Sequence, residues 1–85
     1  MSREQYLIVR IDYVLVPAVV AYVGHGDTPY DLNLRFTSFR DSATLYSNKR
    51  DCIGVAKRLK RSMNRYTFRV IGQFSRKPVW RSDNA

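Results

Sequence analysis

One cysteine, one histidine, three prolines and four glycines are all that 85 residues contain of these types, and each scarcity excludes something. A single Cys52 closes no internal disulfide and fits a reducing compartment. Protein metal sites draw on several Cys or His ligands at fixed spacing, so one of each gives no metal site. The glycines form neither a P-loop nor a dinucleotide-binding turn, which leaves the chain without a cofactor motif. His25 lies beside Asp27 in a Gly-flanked turn, but nothing nominates the nucleophile or metal that such a pair requires. Asp27 and Asp31 show no sign of a shared site. The expectation is that the protein is not an enzyme.

Long apolar runs are missing too. The longest, Tyr13 to Val23, is cut by Pro17 and falls short of the roughly 18 residues a membrane-spanning helix needs. Met1 to Gln5 lacks the basic-then-apolar layout of a secretory signal. The expected location is cytoplasmic, with no membrane partner.

Acid is scarce where base is abundant. Fifteen Lys and Arg face seven Asp and Glu, a formal charge of +8, and the excess is uneven. Residues 1–48 hold four basic and five acidic residues, whereas residues 49–81 hold eleven basic residues and one acid, Asp51. Asymmetry of this kind is the footprint of a polyanionic partner.

Periodicity organises the rest. Leu7, Val9, Ile11 and Tyr13 alternate with Tyr6, Ile8, Arg10 and Asp12, a strand with one buried face. Further strands are expected at Ala18–Val23, Asp31–Thr37 and Ala43–Tyr46, with turns at Gly24–Pro29 and Phe39–Ser42. The period then changes. Cys52, Val55, Ala56, Leu59 and Met63 form the stripe of an amphipathic helix over residues 49–63. Ser47 or Asn48 supplies its N-cap, and Asn64 a left-handed C-terminal residue. A last strand, Tyr66–Ile71, points Tyr66, Phe68 and Val70 one way and Thr67, Arg69 and Ile71 the other. The predicted fold is α+β: a small, mostly antiparallel sheet of four to five strands with one helix on one face, in the order β-β-β-β-α-β. Residues 1–72 read as one domain and 73–85 as a basic, partly mobile tail.

Helical geometry at 100° per residue sets Arg50, Lys57, Arg58 and Arg61 opposite the apolar stripe, with Lys60 at its border. A solvated helix face normally mixes signs, and like charges at i and i+4 are mildly unfavourable, so the ridge reads as a binding surface. Arg65 to Arg69 interleaves bases with aromatics, as strands that stack nucleobases do. Arg76, Lys77, Trp80 and Arg81 add a basic, aromatic arm. The five cations of the helix, Arg65 and Arg69 of the strand run, and Arg76, Lys77, Trp80 and Arg81 are the eleven candidate site residues for nucleic acid or an acidic partner.

The run Ala43 to Ser47, the helix through Val55, Ala56 and Leu59, and the strand Tyr66–Ile71 together resemble, over residues 31–71, the layout of small accessory proteins of bacteriophages and mobile elements. That resemblance implies a stoichiometric binder, such as an anti-CRISPR-type inhibitor or a modifier of nuclease or polymerase complexes. Three functions follow for comparison. One is binding of DNA, RNA or a nucleoprotein complex. Another is docking on an acidic host protein, with Tyr22, Tyr30 and Trp80 as anchors. The third is a structural part of a larger assembly, with strand edges pairing in a homodimer.

Overall fold

The computed structural model of the chain describes residues 4–24 and 36–82. Its elements are β1 (Tyr6–Asp12), β2 (Val19–Val23), β3 (Phe36–Thr37), a 3-10 turn (Arg40–Ser42), α1 (Lys49–Ser62), β4 (Thr67–Gly72) and β5 (Pro78–Arg81). The strands form one antiparallel sheet in the order β3-β2-β1-β4-β5, and α1 packs on one side of it. The α+β reading holds. His25, Asp27, Tyr30, the turn at 24–29 beyond Gly24 and the strand expected from Asp31 up to residue 35 lie outside the described residues.

α1 forms where its caps and stripe dictate. The Asn48 side chain accepts hydrogen bonds from the backbone N–H of Arg50 at 2.9 Å and of Asp51 at 3.3 Å, satisfying two of the four donors that a helix start leaves open. Cys52, Val55, Ala56 and Leu59 are buried against Ile8, Val23, Phe68 and Val70 of the sheet. Full burial of a Val or Leu side chain is worth about 1.5–3 kcal/mol, so the stripe accounts for the docking of the helix. At the other end the expected left-handed Asn64 is absent: Arg76 is the one non-glycine residue with positive φ among those described. The helix closes instead through the Met63 N–H on the Leu59 carbonyl at 2.8 Å and the Lys60 ammonium, which donates to the Asn64 and Tyr66 carbonyls at 2.8 Å each.

Three other expectations are corrected. β1 buries both faces, not one, because it is the central strand: Ile8 points to the helix side, while Leu7, Val9 and Ile11 form a second cluster with Ala43 on the other. Residues 43–46 form no strand but cross the end of the sheet, joined to it by the Thr44 N–H on the Val23 carbonyl and by a single bridge, Tyr46 to Tyr6. The segment after Gly72 carries a fifth strand where a tail without period was expected. It turns back and pairs Trp80 with Val70 and Arg81 with Arg69.

That final hairpin has a clamp. One Glu4 carboxylate oxygen accepts from the N–H of Ser75 at 2.7 Å and of Phe74 at 3.1 Å. Gly72 permits the approach, since a Cβ there would collide with the Glu4 carboxyl and with Ser75 Oγ.

Candidate polyanion-binding surfaces

The eleven expected site residues do not form one surface. The sheet separates them. On the outer side of α1, Arg50, Lys57, Arg58 and Arg61 are all exposed, opposite the buried stripe. They span about 16 Å along the helix, and none of their side chains has a hydrogen bond or ion pair among the described residues. This ridge is assembled as its helical spacing requires.

A second group lies across the sheet, on the face without a helix. Cross-strand register sets Tyr22, Val9, Arg69 and Arg81 in one row, with Leu7, Ile71 and Pro78 in the next. Arg69 and Arg81 are direct neighbours, an arrangement that repels. The Arg69 Nη2 donates to Tyr13 Oη at 3.0 Å, while its Nε is buried without a partner. Arg76 stands beside them at the hairpin, with φ of 58°. In this region a residue with a Cβ costs about 1–2 kcal/mol.

The remaining candidates have other engagements. Lys60 closes the helix end. The Arg65 Nη2 pairs with Asp12 at 3.0 Å and its guanidinium lies over the Tyr66 ring at 4.8 Å. Trp80 is half-buried and packs on the helix-side core. Lys77 is exposed in the hairpin. Phe68 is fully buried and Tyr66 packs against the same core, so the basic-aromatic run 65–69 offers no stacking strand; of that run only Arg69 and Thr67 turn to the helix-free face.

Sequence reasoning missed two features. Arg10 is held between the rings of Phe36 at 4.1 Å and Tyr66 at 4.4 Å, a cation–π pair of contacts that no linear spacing announces. Arg40, in a turn without period, reaches 33 residues along the chain to donate to the Gln73 carbonyl at 2.5 Å. It lines a depression of about 330 Å³ with Leu7, Leu45, Phe74 and Arg76, where Asp41 is the acid.

No protein family, curated protein or solved structure matches the chain.

The chemistry of the surfaces is therefore read from their own residues. Cys52 is fully buried and desolvation pushes its thiol up to about 12, which makes it a small hydrophobe and not a nucleophile. No group of three or more His, Cys, Asp or Glu among the described residues is placed to hold a metal ion, and no described helix is long and apolar enough to cross a membrane. Exposed apolar side chains collect between β1 and β2, where Val14, Leu15 and Val16 stand out from the surface.

Proposed function

We propose that the protein is a non-enzymatic nucleic-acid-binding module, acting on nucleic acid alone or within a nucleoprotein complex. The observation that carries this reading is the ridge of Arg50, Lys57, Arg58 and Arg61: four exposed cations on one face of α1, free of ion pairs among the described residues. A rigid row of this kind suits phosphates, each contact releasing condensed counterions. The exposed Val14–Val16 segment supports the nucleoprotein alternative, since an apolar loop gains nothing from a phosphate backbone but suits the buried centre of a protein contact. A phage-type inhibitor docking on an acidic host surface would use the same two features.

The test is the salt dependence of duplex binding. Four phosphate contacts give a slope of log affinity on log salt of about −3.6. Replacing Lys57 and Arg61 by Gln reduces it to about −1.8. A slope that stays unchanged in K57Q/R61Q removes the ridge from the interface.

A further inference from the structure

The helix-free face of the sheet carries a second set of cations that the ridge does not explain. Val9, Ile11, Tyr22 and Ile71 form the floor of an open depression of about 340 Å³, and Arg69, Arg76 and Arg81 stand on its border. No acid lines it. Around it the chain accepts three unfavourable arrangements. Two arginines, Arg69 and Arg81, stand directly opposite one another on a strand pair, where like charges are unfavourable. Among the described residues the Arg69 guanidinium makes one hydrogen bond, from Nη2 to Tyr13 Oη, and its buried Nε has no partner. Arg76 occupies a left-handed backbone position, and an observed outlier of this type is a pointer to function. An anion between Arg69 and Arg81 would offset the first, and a contact from Arg76 to it would give a reason for arginine in place of glycine at the third.

The surroundings decide which anion. Arg76 also lines the neighbouring depression with Leu7, Phe74 and Arg40, so two hollows of about 330 and 340 Å³ share one arginine. Each is at the small end of the size range of ligand sites. Tyr22 sits half-buried in the floor of one, and Phe74, two-thirds exposed, stands at the other. Carboxylates of an acidic peptide have no use for aromatic faces, whereas nucleobases stack on them while phosphates take the arginines. A duplex keeps its bases stacked on each other and presents none to such a floor.

We infer that this face binds single-stranded nucleic acid, with adjacent bases in the two hollows and the phosphates between and beside them on Arg69, Arg76 and Arg81. The inference does not depend on the helix ridge.

Two variants of equal net charge separate the surfaces: R69Q/R81Q on the sheet and K57Q/R61Q on the helix. Fluorescence anisotropy with labelled ten-nucleotide oligo-dT and oligo-U at 0.15 M salt reads the affinities. R69Q/R81Q is expected to weaken binding of at least one oligomer about tenfold. K57Q/R61Q is expected to weaken it less than about twofold, because the ridge lies on the far side of the sheet, beyond a Debye length of about 8 Å. Tyr22→Leu keeps apolar bulk and charge, and is expected to cost about fivefold or more through lost stacking. Thermal melts serve as the folding control, and removing the Arg69–Arg81 repulsion leaves the melting temperature level or raises it. Equal losses in the two charge variants would overturn the inference, as would full affinity in Tyr22→Leu. Wild-type binding to poly-glutamate as tight as to the oligomers would assign the face to an acidic protein and sink it as well. Failure of the ridge would show separately, in an unchanged duplex salt slope.

Discussion

Arg76 offers a perturbation whose outcome is computable from the backbone. Its φ of 58° falls in the hairpin that joins β4 to β5, where its N–H donates to the Gly72 carbonyl at 3.1 Å and the Gly72 N–H to the Lys77 carbonyl at 3.3 Å. Glycine keeps both bonds and relieves about 1–2 kcal/mol of left-handed strain. Against this, glycine adds freedom to the unfolded chain, a cost of about 0.4–1 kcal/mol. Arg76→Gly is therefore expected to stabilise the fold by about 0.5–1 kcal/mol, which raises the melting temperature of a domain of this size by about 2–8 °C. Arg76→Ala keeps the strain and removes the same side chain beyond Cβ, so it is expected to melt with the wild type. Differential scanning calorimetry of the three proteins reads both differences. A melting temperature for Arg76→Gly at or below that of Arg76→Ala would refute the reasoning, because strain would then not be stored at this residue.

Four further outcomes follow from other sites. Gly54 is exposed in the middle of α1 with nothing within 4 Å of a built Cβ, so Gly54→Ala is expected to stabilise by up to about 1 kcal/mol in urea titrations. Gly72→Ala drives its methyl into the Glu4 carboxyl and is expected to cost about 1–3 kcal/mol, with much of the loss recovered in a Gly72→Ala, Glu4→Ala double variant. The N–H groups of Ser75 and Phe74 hold the Glu4 carboxyl below its usual 4.5. Its contribution is thus present above that pH and lost as pH falls through the lowered value, and Glu4→Gln flattens the acid limb of a melting-temperature profile between pH 3 and 6. Cys52, buried and raised to about 12, is expected to react with a thiol reagent at pH 8 only at the rate at which the chain opens, so labelling slows in step with any stabilising substitution.

How far the sequence could be read depended on whether a signal was local. The helix was legible because Cys52, Val55, Ala56 and Leu59 recur at its period and Asn48 caps it, all within fifteen residues. β4 was legible from the alternation of Phe68 and Val70. β5 was not, since Pro78 opens it, only four residues form it, and its pairing depends on a turn whose left-handed residue is arginine instead of glycine. Residues 43–46 alternate like a strand, with Ala43 and Leu45 toward one cluster and Tyr46 toward the other, yet only one residue finds a bridge. For the site, the surplus charge of residues 49–81 was visible as a number. Its division was not, because the helix covers one side of the sheet while the arginines of the β4–β5 hairpin face the other, a relation that exists only once β4 pairs with β1. The roles of Arg65 and Lys60 were hidden for the same reason: their partners, Asp12 and the Tyr66 carbonyl, are supplied by the tertiary fold.

The central place of β1 has a consequence in time. Of the five described strands, β1 leaves the ribosome first and is the one that the later layers cover, and Ile8 waits for Val70 before the sheet closes over it. At about 5–20 residues per second, that interval lasts about 3–12 s. During it the early β1–β2 hairpin carries an apolar strand with one free edge and two open faces, so the nascent chain depends on shielding by its surroundings far more than the finished molecule does.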